Sequence, residues 1–322
     1  MTYKHLISFI KSNPSSASDP VLQTQWQNIK SNLIFIVGDN SGAVSCYLSE
    51  IMNVAGMPYA RYIGIDEIEL KNRFGDGNSD LELQKLCASA GKILKRTKKQ
   101  ISNEALLFLT TLDTLDEEEK YLLIDVSEDF YSNVLSKCTF DPYSVIFCSD
   151  DTHIDLVQSS AREIICLTQE EIFDIISQKK NRNGVRISYA SPSKKSLSSA
   201  GIMGCSFYYN EHRYSIKSPK RQNIMPACIA IETAISIFGC TKAMINKGLS
   251  RATLPVDLRL ICINPNIFFT TNELDLSEKI LKDYTIIKDG DYFCTIKENT
   301  VFCGSNDFLD TVQIKLKNNR LS

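Results

Sequence analysis

Histidine is scarce in this chain, three residues among 322, and no stretch is apolar for the ~20 residues needed to cross a bilayer. His5, His153 and His212 stand far apart, and the eleven cysteines are scattered singly, so the paired spacing of a structural zinc site is absent. The cysteine count is odd, and several thiols sit inside apolar runs such as VIFCSD, IICLTQ, PACIAIE and LICINP. They read as reduced core residues. Charge of one sign is not in excess either: 36 Lys and Arg face 38 Asp and Glu, a net charge of -2, which leaves no bulk basic field for general nucleic-acid binding. The opening MTYKHLISFIKSNPSSASDP lacks the long apolar core and small-residue cleavage pattern of a secretory leader, so the expected compartment is the cytoplasm. Neither Gly-x-Gly-x-x-Gly nor Gly-x-Ser-x-Gly occurs, which removes the usual fingerprints of dinucleotide binding and of a serine nucleophile on a strained elbow.

What is there describes a globular protein. Hydrophobic residues make up 43% of the chain and charged ones 23%, and the length fits two domains. Residues 21–32 have helical spacing, and NLIFIVG reads as a buried strand stopped by glycine. SCYLSEIMNVAG places Cys46, Leu48, Ile51, Met52 and Ala55 on one helical face and ends at Gly56. PYARYIG, KYLLIDV and YSVIFCS are further strands, with helices over LELQKLCASAGKILKRTKKQ and NEALLFLTTL between them. Strands alternating with helices imply a parallel sheet covered on both faces. REIICLTQEEIFDIISQKK gives another strand and helix, and GCSFYY with RYSIKS a hairpin turning at residues 210–212. Two helices follow in MPACIAIETAISIFGC and TKAMINKGLSRA. A boundary is expected at Leu254-Pro255, giving domains 1–254 and 255–322. Past it come the strands LRLICINP and NIFFTT, the helix LDLSEKILKDY and a terminal hairpin.

The segment with the most chemistry in it is VGDNSGAVS, residues 37–45. A buried strand that runs through a small-residue loop into a helix aims backbone N–H groups and the positive end of the helix dipole at one point, a geometry suited to phosphate. A working mononucleotide loop also carries a lysine for the β- and γ-phosphates and a hydroxyl for magnesium. The lysine is missing.

This loop resembles that of the Mur ligase superfamily, most closely the folylpolyglutamate synthase and dihydrofolate synthase branch, which reads Gly-Thr-Asn-Gly-Lys-Gly-Ser. Gly38 and Asn40 match; Asp39 and Ser41 replace Thr and Gly, Gly42 stands in place of the lysine and Val44 in place of the serine. Cys46, Glu50 and Ala55-Gly56 agree with the helix that follows in the family. NEALLFLTTL is similar to the family's acidic helix, with Glu104 in the acidic place. KYLLIDVSEDFYSNVL keeps Asp125-Val126 and Asn133-Val134 but not the Gly-Gly-Arg centre, and YSVIFCSDDTH keeps His153, a magnesium ligand in the family. AREIICL lacks the lysine that the family carbamylates. Pro255 is kept while Val256-Asp257 replace Gly-Arg, and LICINPNIFFTTNELD retains Pro265 and Asn272.

The resemblance implies an α/β fold: a Mur ligase-like central domain with a parallel sheet flanked by helices, and a truncated C-terminal α/β domain ending in a short hairpin-like tail after Tyr284. It implies nucleotide contacts at Gly38, Asn40, Ser41, Gly42, Ser45 and Asn272, and metal ligands at Glu104 and His153, with Asp125 able to join them. The family makes an acyl phosphate from a carboxylate and ATP and lets an amine attack it, chemistry that rests on positive charge over the phosphates. With those cations replaced, the expectation is a pseudoenzyme that binds a protein partner, one candidate being an intact ligase, or a small ligand. ATP and magnesium are possible cofactors. Two alternatives stay open: an amide ligase in which Lys92, Lys95 or Lys220 supplies the missing charge, and a nucleotide-sensing module.

Overall fold

The structure is a computed structural model that describes residues 1–12, 31–64, 70–76, 79–80, 83–98, 100–115, 120–137, 142–148, 163–167, 186–190, 198–199, 204–254, 259–263, 266–270, 284–291 and 299–317. These residues form two compact units, Met1–Pro192 with Met225–Gly248, and Ser193–Ile224 with Leu249–Ser322. The hairpin region thus groups with the C-terminal residues, and residues 254 and 255, the expected boundary, fall within the second unit.

The first unit is built on strand β1, Asn32–Val37, whose residues after Asn32 are all buried. A strand buried on both faces needs neighbours on both edges and helices above and below, and its run of Leu, Ile, Phe and Val meets that demand. β5 (Tyr121–Val126) pairs with it on one side and β6 (Ser144–Phe147) on the other, both parallel, with Phe35 opposite Ile124 and Val145. β2 (Tyr59–Tyr62) extends the sheet beyond β5, and β7 (Glu163–Leu167) and β8 (Arg186–Ala190) extend it beyond β6, all parallel. Two short antiparallel strands, β3 (Phe74–Asp76) and β4 (Ser79–Asp80), close the β2 edge. The order is β4-β3-β2-β5-β1-β6-β7-β8.

One face of this sheet carries Leu33, Phe35 and Val37, packed with residues of α1 (Tyr3–Ser12), α3 (Leu83–Arg96) and α4 (Asn103–Leu115). Phe35 meets Phe108 and Tyr131 with ring centroids 6.0 and 6.1 Å apart. Nearly all of α4 is buried, and its two polar interior residues bond to their own helix: the Thr110 and Thr111 hydroxyls donate to the Leu106 and Leu107 carbonyls at 2.7 and 2.8 Å.

The helix after β1 is α2, Ser41–Ala55, closed by Gly56 at φ 68°, the left-handed geometry of a C-terminal cap. It starts four residues earlier than the apolar spacing predicts, because the small residues Ser41 to Ser45 join its first turn, leaving a connection of only Gly38, Asp39 and Asn40. α6 (Ile224–Ser236) buries Ala227 through Ile231. α7 (Lys242–Arg251) approaches α2 so closely that a Cβ on Gly248 would lie 2.6 Å from the Ile51 Cα. The β3–β4 hairpin and α5 (Glu128–Asn133) are not evident from periodicity, being too short to show one.

In the second unit β10 (Cys205–Tyr209) and β11 (His212–Ile216) form the expected hairpin, with a two-residue turn in which Asn210 and Glu211 take φ of 46° and 64°. β9 (Ser198–Ser199) pairs with β10. A second sheet has the order β12-β13-β15-β14, from Arg259–Ile263, Asn266–Thr270, Thr300–Cys303 and Thr285–Lys288. β15 runs parallel to both its neighbours. Helix α8, Asn306–Lys317, sets Leu309 and Val312 against Ile267, Phe269, Ile287 and Phe302. The chain after Tyr284 is therefore more than a hairpin tail: it supplies two parallel strands and a helix. The helices read at residues 21–32, 169–180 and 274–284 fall largely outside the described residues. No helix among the described residues is long and apolar enough to cross a membrane.

Candidate functional site

The carboxyl ends of β2, β5, β1 and β6 bring together the loops that carry chemistry in an open α/β sheet. The connection after β1 is tied to its neighbours on both sides. Gly38, at φ 113°, donates its N–H to the Val126 carbonyl at the end of β5 (3.3 Å), and Ser41 donates its N–H back to the Gly38 carbonyl (3.1 Å). The Asn40 amide does not cap α2; its Nδ2 donates to the Cys148 carbonyl just past β6, at 3.3 Å. Asn40 is thus a latch between two strand ends. Replacing it with Ala removes a half-buried hydrogen bond, and a loss of about 1 kcal/mol is expected in a urea unfolding curve.

The chemical centre is Asp125, near the end of β5 and only 6% exposed. Its Oδ2 accepts the Gly64 N–H at 2.8 Å, and the Ser41 hydroxyl donates to the same carboxyl. Burial pushes Asp125 up to about 6, against the opposing pull of those two hydrogen bonds; the nearby Glu104 charge adds to the rise and the Arg73 guanidinium opposes it. Gly64 is a place where space matters, since a Cβ there would sit 3.3 Å from Asp125 Oδ2. Arg73 also bonds to the phenol of Tyr62, which burial pushes well above its ordinary range.

Glu104 is in the first turn of α4, and its Oε1 accepts the Ser127 N–H at 3.1 Å; the Ser127 hydroxyl in turn accepts the Phe130 N–H at 3.1 Å and caps α5. Glu104 therefore reaches the Asp125 neighbourhood with one oxygen committed to a helix start. Among the described residues, no group of three His, Cys, Asp or Glu is placed to hold a metal ion.

Of the residues read from the sequence as nucleotide contacts, Gly38, Asn40, Ser41, Gly42 and Ser45 lie together at the β1–α2 junction and Asn272 lies outside the described residues; of the two read as metal ligands, Glu104 lies near Asp125 and His153 lies outside the described residues. Gly42 is buried in the first turn of α2. Ser45 is fully buried, and its Oγ has no hydrogen-bond partner among the described residues. Sequence reasoning missed Gly64 and Arg73. The signal for Gly64 was present, a glycine directly after a parallel strand whose carboxyl end must face the same crevice; Arg73 follows no pattern and is brought in by the β3 excursion. The thiols near the site are inert: burial pushes Cys46 up to about 11, with Arg61 pulling the other way, and raises Cys148 well above its ordinary value.

No protein-family model matches the sequence, and no curated protein matches it. Solved structures do match the fold. A folylpolyglutamate synthetase from Lactobacillus casei is 15% identical with a TM-score of 0.64, covering 98% of this chain and 100% of that one. An FPGS-AMPPCP-folate complex is 14% identical with a TM-score of 0.62, over 98% and 100% of the two chains. E. coli FolC in complex with DHPP and ADP is 12% identical with a TM-score of 0.62, over 99% of each. The chain has the Mur ligase-like α/β fold of the folylpolyglutamate synthases.

Proposed function

We propose that this chain is a non-catalytic protein on the folylpolyglutamate synthase fold, one that binds a partner protein or a small ligand and does not make an amide bond. The observation that supports it is the commitment of the β1–α2 junction to its own scaffold. The Asn40 amide bonds to the Cys148 carbonyl and the Ser41 hydroxyl to Asp125, while Gly42, which the resemblance aligns with the family's lysine, is a buried glycine. Phosphoryl transfer depends on positioned cations, and removing even one electrostatic donor of comparable kind costs about 2.7–4 kcal/mol of barrier. The setting is cytoplasmic.

A second reading, nucleotide sensing, is favoured by the buried and unpartnered Ser45 hydroxyl in the helix that begins at Ser41. If ATP and magnesium bind, Gly38 and Gly42 would face the phosphates and Glu104 the metal. The ligands of one similar solved structure, AMPPCP and folate, give the probes to try. For the ligase reading, a substitute lysine has to reach the loop. Lys92 is held by Asp113 at 3.6 Å, and Asp113 lies nine residues, about 13 Å of helix, from Glu104. The test is a thermal-shift titration with ATP and magnesium, alone and with folate. No shift is expected under the partner-binding reading. A shift without phosphate release supports sensing, and ADP production with a folate and glutamate overturns the proposal.

A further inference from the structure

The charged residues of helix α3 itself are all basic, and one of them, Lys92, pairs with Asp113 of α4 at 3.6 Å. From Leu83 to Ser102 the sequence contains no Asp or Glu, and it contains Lys85, Lys92, Lys95, Arg96, Lys98 and Lys99. Lys85, Lys92 and Arg96 are separated by seven and four residues, so on an α-helix they fall within about 40° of one another and form a row about 16 Å long. Lys95 flanks this row; all four side chains are exposed, and so is Ala88 between Lys85 and Lys92. The opposite face is closed, with Leu86, Cys87, Ala90, Ile93 and Leu94 buried in the core. The neighbouring α1 adds Lys4 and Lys11, both exposed. In a chain of net charge -2, this concentration of positive charge is local.

We propose that the exposed face of α3 is a docking surface for an acidic helical segment of another protein. This deepens the partner-binding reading given above and rests on it. Charge complementarity selects an anionic partner. The straightness of the row and the small exposed Ala88 beside it suit a rod with acidic residues at helical spacing, whose side chains interleave with Lys85, Lys92 and Arg96. A single-stranded nucleic acid would want exposed aromatic platforms, and the face has none; Tyr3 and Phe9 of α1 pack against the core. A membrane would want apolar side chains on the same face as the cations, but apart from Leu83 at its start the large apolar side chains of α3 are buried.

The test uses the full chain and three fluorescent probes: a glutamate-rich helical peptide of about three heptads, a duplex RNA of matching charge, and vesicles containing phosphatidylserine. The peptide is expected to bind in a salt-sensitive way. The variant K85E/K95E/R96E is expected to bind it roughly 30-fold more weakly while staying folded, its melting temperature lowered by no more than a few degrees because these side chains are exposed and only Lys95 and Arg96 lie in the last turn of α3. Absence of peptide binding, equal binding by the variant, or tighter binding of RNA or vesicles overturns the proposal. Ligase turnover measured on the same preparation reports separately on the reading beneath it, since turnover leaves the peptide result intact and loss of peptide binding leaves the turnover result intact.

Discussion

Changing Asp125 to Asn is expected to stabilise the protein by about 3 kcal/mol at pH 8 and to remove a pH dependence that the unaltered protein shows between about pH 4 and 6. Asp125 is 6% exposed, and burial lifts its carboxyl from 3.8 to about 6 in the folded state. Between those two values the folded chain holds a proton there that the unfolded chain has released, so stability falls as pH rises through this window and levels off above it. Each pKa unit corresponds to about 1.4 kcal/mol, which gives the size of the effect. An asparagine keeps an oxygen to accept the Gly64 N–H and carries no charge to desolvate. Chemical denaturation of both proteins from pH 4 to pH 8 checks this. Parallel pH profiles, or a variant less stable at pH 8, would contradict the stated environment of Asp125.

The second large effect belongs to Gly248. On a free helix, glycine to alanine is stabilising by about 1 kcal/mol. Here the new Cβ would stand 2.6, 2.7 and 2.8 Å from the Cα, Cγ1 and N of Ile51. Two of those atoms are backbone in the middle of α2 and cannot rotate away, so α7 must shift outward and lose contact. Overpacking of this kind costs about 1–3 kcal/mol, and a net destabilisation of about 2 kcal/mol is expected in a urea melt of Gly248→Ala. A neutral or stabilised variant would mean that α7 does not press on α2. The consequence reaches the site, because α2 begins at Ser41, and Ser41 holds Asp125.

The parts of this architecture legible in the sequence are those with long, regular burial. β1 shows as NLIFIV because a central parallel strand is apolar on both faces, and α4 shows as NEALLFLTTL for the same reason. The apolar spacing places the start of α2 too late because Ser41, Gly42 and Ala43 carry no apolar period, although they are already helical. β14 and α8 were missed because TIIK alternates too briefly, and the helix that covers it shows only a few buried positions, Leu309 and Val312 among them. At the site, the sequence reads Gly38, Asn40 and Ser41 as nucleotide contacts and does not show what they bond to within the fold. That Asn40 reaches Cys148, a residue 108 positions away, and that Ser41 and Gly64 both serve Asp125, are facts of topology that no local spacing encodes. Glu104 reads as a metal ligand, and the spacing gives no sign that its Oε1 accepts the Ser127 N–H.

The account stands on the idea that the β1–α2 junction now serves the scaffold and no longer a migrating phosphoryl group. The direct measurement is ADP release from ATP and magnesium by the purified protein, with folate as acyl donor and glutamate as acceptor, followed over many enzyme equivalents of time. No ADP above the rate in buffer is the predicted result. Steady ADP production that depends on both folate and glutamate would contradict it.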